Sequence, residues 1–384
     1  MLKEFITRKL RTMLTESRIP FNFALPKDIL QIKDVFKKNG YKLYVVGGAV
    51  RDAILGKEPK DFDLATDALP DDVEKILAEA GFKTLPTGKA FGVINVFTDS
   101  GEYEIATFRE DIGSGRRPDA VQFTDIETDV KRRDLTINAL FYDIDKKEIV
   151  DLVGGVEDLK KGIVKTVGSP QERFGEDRLR ILRAIRFAAR FGSNLDSDVD
   201  QALKKDSNLE GISGERIRDE FIKGIISAKS VTQFMGMIEK YRLFDWIFKG
   251  LKVSKNFISD KDSILVIASL LKDNDSPVLS KRLNDLKYTV DEVKNITFLV
   301  NMLKLTPETA VVLKRAQKNT SLSDEQIRTF GNFIGVNTKL LDAFIKFKLT
   351  VSGEDLMRRF NLKQGKELGD AINKAEYENF KNLI

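Results

Sequence analysis

The stretch YKLYVVGGAVRDAILGKEPKDFDLAT, residues 41–66, constrains the fold more than any other part of the chain. An apolar run, Leu43 to Val46, enters a pair of glycines, Gly47 and Gly48. "AVRDAILG" then reads as a helix closed by Gly56. In "KDFDLAT" the period shortens to two, so Asp61 and Asp63 share one strand face and Phe62 and Leu64 the other. Strand, glycine turn, helix and strand in quick succession call for a sheet with a helix laid on it.

The rest of the chain extends that pattern and then abandons it. Residues 27–40 read as a helix ending at Gly40, and residues 70–81 as another ending at Gly81. "FGVINVFTD" and "GEYEIATFR" read as strands around an Asp-Ser-Gly turn. "EDIGSGRRPDAVQFT" is too polar and too rich in Gly and Pro for a packed element, and reads as a mobile basic loop. "DVKRRDLTINALFYD" returns to helix and then strand. Strands stop near Val167, and from about residue 170 helix follows helix with no internal repeat. A chain of 384 residues exceeds the usual single domain. The expectation is an α/β head and a long helical remainder, joined flexibly at Gly154-Gly155 in "DLVGGVEDLKKG".

Composition removes whole classes of chemistry. There is no cysteine, so disulfides, zinc–thiolate sites and cysteine nucleophiles are excluded. There is no histidine either, which removes histidine bases, Ser-His triads and histidine metal ligands. Any metal must sit among oxygens, which favours Mg²⁺ or Mn²⁺. The net charge of +5 permits an anionic partner without demanding one. No apolar run reaches the ~18 residues of a membrane span. The N-terminal MLKEFITRKLRTML is amphipathic and basic but lacks an apolar signal core, and reads as a helix packed on the body of a cytoplasmic protein.

Two carboxylates at i and i+2 on a strand can hold two divalent ions ~3.5–4 Å apart, which activate a hydroxyl and neutralise a leaving phosphate. The Gly47-Gly48 turn lets backbone amides approach phosphate oxygens, and Arg51, one helical turn on, can reach the same group. Glu104 lies on a later strand as a candidate third carboxylate, or as an ordinary exposed strand glutamate. A lone D-x-D is ordinarily a solvated face, whereas GG-x-x-RD followed ten residues after Arg51 by D-x-D is far more specific.

This motif set resembles the class II nucleotidyltransferases, specifically the tRNA CCA-adding enzymes and the related bacterial poly(A) polymerases. Five blocks occur in order: Gly47 to Asp63; Arg132-Arg133-Asp134 with Asn138; Asp151 to Leu159; "EDRLR" from Glu176 to Arg180, extending through Arg183 and Arg186; and "ISGERIRDE", Ile212 to Glu220. A fainter match is VSGEDLMRRFNLKQGKELG, residues 351–369. The resemblance implies a seahorse shape: an α+β head with a polymerase-β-like mixed sheet, then an all-α neck, body and tail. The expected divisions are an N-terminal helical extension over 1–40, a catalytic head over 41–152, a nucleotide-selecting neck over 153–225, a body over 226–300 and a tRNA-binding tail over 301–384. It implies two Mg²⁺ (or Mn²⁺) ions on Asp61 and Asp63, CTP and ATP as substrates, and tRNA, held at its acceptor end and elbow, as partner. A monomer or weak dimer is expected.

Within that resemblance the residues suggest how bases are read. Asp177 and Arg180 stand at i and i+3, expected on one helix face. A carboxylate accepts from the amino group of cytosine or adenine while a guanidinium donates to the adjacent ring nitrogen. Uracil and guanine reverse that pattern and would leave buried partners unpaired, at ~1–3 kcal/mol per group. Glu176, four residues before Arg180, can hold its guanidinium. Between Arg173 and Arg190 stand six arginines, two acids and no lysine. Arg180, Arg183 and Arg186 form a ridge of phosphate-matching forks. The oxygens of Asp134 and Asn138 can bind a ribose 2′-hydroxyl; Arg133 matches a nucleotide-binding position, and Arg132 is assigned to structure.

"TGKAFGVINVF" lacks the basic Gly-Arg-Arg/Lys-Phe segment of the poly(A) branch. The loop over 109–123, absent from enzymes that stop at CC, is present. Full CCA addition is therefore expected, with CC-only, poly(A) and non-enzymatic RNA-binding proteins as the alternatives.

Overall fold

The computed structural model describes residues 17–113, 120–361 and 363–384. The helix expected over 1–14 lies outside them. The chain forms two compact units, Met1–Ser207 and Asn208–Ile384.

The first unit is built on an eight-stranded sheet in the order β1-β10-β9-β2-β3-β6-β5-β4. Its strands are β1 (Ser17–Pro20), β2 (Leu43–Val46), β3 (Asp63–Thr66), β4 (Lys83–Gly88), β5 (Val93–Thr98), β6 (Gly101–Thr107), β9 (Leu140–Asp143) and β10 (Glu148–Asp151). Only β3 and β6 run parallel; every other pair in the sheet is antiparallel. Helices α1 (Lys27–Lys38), α2 (Gly48–Ile54) and α3 (Pro70–Glu79) cover one face, burying Ile29, Ile32, Phe36, Val50, Val73 and Leu77. Period-two alternation sends Leu43, Val45, Leu64 and Ile105 into that core. Tyr44, Val46 and Ala65 point to the opposite face, where Phe108, Val130 and Phe141 form a smaller core. Asp63 and Glu104 share that second face and stay exposed.

Several local expectations change. β1 pairs with β10 from Ser17 opposite Asp151 to Pro20 opposite Glu148, so residues 17–38 complete the head instead of forming a purely helical extension. A strand whose partner lies 130 residues away leaves no local signature. The supposed loop over 109–123 is a two-stranded ribbon of β7 (Arg109–Ile112) and β8 (Ala120–Phe123), with residues 114–119 outside the described set. β3 begins at Asp63, so Asp61 precedes the strand. The second motif block is a chain of short turns: α4 (Ile126–Asp129) and 3-10 turns over Val130–Arg132 and Thr136–Asn138.

Gly154-Gly155 is not a loose joint. The Asp151 carboxylate accepts from the amides of Val153, Gly154, Gly155 and Val156, at 2.8–3.1 Å. This caps α5 (Gly155–Lys161), and a Cβ on Gly155 would lie 2.2 Å from the Thr136 carbonyl oxygen. Beyond it come α6 (Pro170–Glu176), α7 (Leu179–Phe191) and α8 (Ser197–Lys205). A two-residue parallel pairing, β11 (Ile163–Val164) with β12 (Asn194–Leu195), falls inside the region expected to be all helix.

The second unit is helical, with eleven α-helices among its described residues, from Gly214–Ser227 to Lys366–Lys381. Close backbone approach fixes its early packing: a Cβ on Gly224 would meet the Phe234 ring at 2.1 Å. A fresh helix starts after Gly365, as the sequence suggests.

Gly155→Ala should overpack the joint and cost about 1–3 kcal/mol. A thermal melt should show a loss of several degrees, and an unchanged Tm would contradict the close approach to Thr136.

Candidate active site

The parallel register of β3 and β6 sets Asp63 directly opposite Glu104. Burial pushes the Asp63 carboxyl above its ordinary range; Arg133 pulls it back and Asp61 pushes it further up. Glu104 is raised too, first by burial and then by Asp63 and Glu102. Asp63 keeps solvent access, yet the protein packed around it removes enough water to disfavour its charge. Asp61 sits exposed in the irregular segment just before the strand, close enough to act on Asp63. The acid pair therefore joins one strand residue and one residue that precedes the strand, and Glu104 supplies a neighbour across the sheet. Among the described residues no three acidic side chains converge into a closed metal cage. An open, oxygen-only cluster whose members repel one another suits a hard divalent cation that shares its shell with phosphate and water.

Arg133 faces this cluster. Its Nε and one terminal nitrogen donate to Asp129 Oδ2 at 3.1 and 3.0 Å, and it stacks 4.6 Å from the Phe141 ring centre. Asp129 is 1% exposed. Its Oδ1 accepts from Arg132 at 2.9 and 2.7 Å and from the Arg109 amide at 3.2 Å. Burial pushes Asp129 up, but Arg133 and Arg132 outweigh it and hold the carboxyl below its ordinary value. Sequence reasoning missed Asp129. The signal was an acid three and four residues before an arginine pair, the spacing of one helical turn.

Arg51 does not extend toward solvent. It is 3% exposed, with its guanidinium 5.1 and 5.2 Å from the rings of Phe187 and Phe191 on α7. Nε donates to Asp52 at 2.9 Å, and a terminal nitrogen donates to Asn138 Oδ1. Asp52 also accepts from Arg190 at 3.1 Å. In this structure the Arg51 guanidinium lies between the two rings with Asp52 and Asn138 as acceptors, and is not extended into the open as the sequence suggests. Gly47, at φ 70°, makes the turn into α2 and donates to the Leu140 carbonyl; Gly48 opens the helix. Asp134 Oδ2 accepts from Arg183 Nε at 2.7 Å, and its Oδ1 accepts from the Leu135 amide at 2.7 Å and from Asn138 at 3.5 Å. Burial raises Asp134, and Arg183 more than reverses it, leaving the carboxyl below its ordinary range.

Asp177 and Arg180 do not share a helix face. The helix breaks between α6 and α7; Asp177 lies in the break with extended backbone, and its Oδ1 accepts the Leu179 amide at 3.1 Å. Arg180 stands in the first turn of α7, ion-paired to Glu176 as expected, and donates to the Arg132 carbonyl at 3.1 Å. Asp111, Arg132, Arg173, Glu176 and Arg180 line a pocket of about 210 Å³. The arginine ridge is not a solvated face: Arg183 is bound to Asp134, Arg190 to Asp52, and the buried Arg186 lies 4.2 Å from the Phe187 ring centre. All these residues belong to the first unit.

Residues 43–165 match the family described as Poly A polymerase head domain, and residues 194–254 that described as Probable RNA and SrmB- binding site of polymerase A. The CCA-adding enzyme of Ligilactobacillus salivarius (strain UCC118) is 33% identical over 398 aligned residues, spanning 97% of this chain and 96% of that one. The chain belongs to the CCA-adding enzyme family. It is therefore an enzyme, a nucleotidyltransferase. Among solved CCA-adding enzymes, that of Bacillus stearothermophilus in complex with CTP superposes with a TM-score of 0.66 at 25% identity, covering 93% of both chains. The Thermotoga maritima CCA-adding enzyme complexed with tRNA_CCA has the same fold, with a TM-score of 0.68 at 21% identity over 93% of this chain and 92% of that one.

Asp129 gives the site a pH signature. Its folded pKa lies below the ordinary 3.8, so its stabilisation is fully present above that value and is lost as pH falls through the lower folded one. Asp129→Asn leaves two guanidinium groups without their shared carboxylate and should cost ~3–5 kcal/mol. A series of melts against pH should show a lower Tm at neutral pH and a flatter acid limb than the parent protein.

Proposed function

We propose that this protein adds C, C and A, one nucleotide at a time, to the 3′ end of tRNA from CTP and ATP without a nucleic acid template. The observation that carries this reading is the Asp63–Glu104 register, with Asp61 and Arg133 acting on it, in a chain that aligns end to end with a CCA-adding enzyme. The complexes of relatives with CTP and with tRNA support the substrate classes.

In this mechanism the 3′-hydroxyl oxygen of tRNA attacks the α-phosphate, and pyrophosphate leaves. Mg²⁺ or Mn²⁺ ions held by Asp61 and Asp63, with Glu104 beside them, would neutralise phosphate charge and acidify the attacking hydroxyl. The chain has no histidine, so a carboxylate oxygen of this cluster is the nearby side-chain acceptor for the proton. The backbone of Gly47 and Gly48 admits the triphosphate closely. Arg133 sets positive charge beside it. Asp177 accepts from, and Arg180 donates to, the edge that cytosine and adenine share, with Glu176 fixing the guanidinium. Asp134 and Asn138 sense the ribose, and Arg183 and Arg186 line the nucleotide side of α7.

We assign residues 41–152, completed by the strand and helix of residues 17–38, to the head, 153–225 to the neck, 226–300 to the body and 301–384 to the tail, which would hold the tRNA elbow by shape and backbone. Among the described residues no helix is long and apolar enough to cross a membrane, in keeping with a cytoplasmic enzyme.

Labelled CTP and ATP supplied with tRNA lacking its CCA should give a product three nucleotides longer. A product that stops after two, or a long A tract, would assign the chain to the CC-only or poly(A) branch. Asp61→Ala and Asp63→Ala should each slow incorporation by at least roughly 10²–10³-fold, the range for removing one transition-state electrostatic group. Full incorporation by folded forms of both would refute the mechanism. Shortening the connection between β7 and β8 should spare CC addition and suppress the final A.

A further inference from the structure

Glu176 and Arg180 pair across a break, so helical geometry alone does not hold them. Asp177 and Arg178 separate α6 from α7, and an i, i+4 ion pair is weakly held even inside a continuous helix. Arg173, three residues before Glu176 on α6, supplies the missing brace. One of its terminal nitrogens is ion-paired to Glu176 Oε1 at 2.6 Å, and the other donates to the Lys131 carbonyl at 2.7 Å. The second oxygen of Glu176 accepts from Arg180. Arg180 also donates to the Arg132 carbonyl at 3.1 Å and to the carbonyl of Arg173 itself at 3.3 Å. Two successive carbonyls, those of Lys131 and Arg132, thus receive two guanidiniums that share one carboxylate. Arg173 keeps both terminal nitrogens on oxygens while its buried Nε–H has no partner among the described residues. A side chain that served only to solvate the surface would turn that donor to water.

We propose that Arg173 is a positioning residue for base selection, acting through Glu176 to aim the Arg180 guanidinium. This rests on the base reading assigned to Asp177 and Arg180 in the proposed function. Cytosine and adenine present a ring acceptor beside an amino donor, whereas uracil and guanine present a ring N–H beside a carbonyl oxygen. A guanidinium held in one place meets the ring N–H of uracil donor to donor, and the mismatch leaves polar groups unpaired. A guanidinium free to swing can move onto a carbonyl oxygen of uracil, and the rejection weakens. Discrimination therefore depends on how firmly Arg180 is held as well as on its presence.

The experiment measures kcat/KM for CTP and for UTP with the full-length enzyme and tRNA lacking its CCA. Arg173→Met keeps a packed stem and removes the guanidinium. Its CTP-to-UTP ratio should fall about tenfold, the worth of one hydrogen bond. Arg180→Met should lower the ratio at least as far. Glu176→Gln should lower it too, and adding Arg173→Met to that variant should change it little further, because the two residues act in one chain. A parent ratio in folded Arg173→Met, with a lowered ratio in Arg180→Met, overturns the positioning role while sparing the base reading. A parent ratio in Arg180→Met overturns the base reading and the proposal with it. Independent falls that multiply in the double variant overturn action through Glu176. Equal losses for both nucleotides at constant ratio mark a merely structural role and likewise overturn the proposal. If Arg173→Met does not fold, Arg173→Lys carries the test, since a point charge cannot hold Glu176 and the Lys131 carbonyl in one fixed geometry. The ratio should again fall, and a parent ratio in that variant overturns the proposal.

Discussion

Two carboxylates that face each other across adjoining strands repel, and the head is organised around keeping Asp63 and Glu104 in that position. The parallel pairing of β3 with β6 enforces it, because a slip of one residue would turn either side chain into the helix-covered core. That core, packed between three helices and the sheet, supplies the rigidity. On the other face the covering layer is smaller, and Asp63 and Glu104 stay exposed there.

Positive charge is held as firmly as negative. Asp129 binds Arg132 and Arg133 at once, so two guanidiniums that would repel share a carboxylate. The carbonyl of Arg132 accepts from Arg180, which links the acid cluster to the candidate base reader through two residues. Asp52 plays the matching part on the other flank, between Arg51 and Arg190. The site is a set of forks locked by buried acids, and few of its arginines are free to wander. Such preorganisation lowers the reorganisation needed when charge develops in the transition state.

Much of this was legible from residue types and spacing. The strand–glycine–helix–strand unit, the helices over 27–38 and 70–79, and the restart after Gly365 follow from local periodicity and turn residues. The Glu176–Arg180 pair is readable from its spacing of four residues, although it spans the break between two helices. Asp177 was misplaced because a two-residue break between two helices, Asp177 and Arg178, has no periodic signal. The ribbon of β7 and β8 was read as a loop because its strands are short, polar and paired only with each other. Gly154-Gly155 looked flexible because two glycines in a row suggest backbone freedom, whereas the carboxylate of Asp151, only three and four residues upstream, pins both amides.

The amino-acid sequence alone determined the available chemistry: oxygen ligands only, no imidazole or thiol, paired acids behind a glycine turn, and an acid with an arginine near the start of a helix. Those are properties of residue type and of neighbours within a few positions. Tertiary structure decided which charges are tools and which are clamps. Arg51 meets Asn138 across 87 residues, and Arg190 meets Asp52 across 138. Nothing local distinguishes a guanidinium that will reach a phosphate from one that will be enclosed by two rings, because burial and partner choice exist only once distant segments have packed.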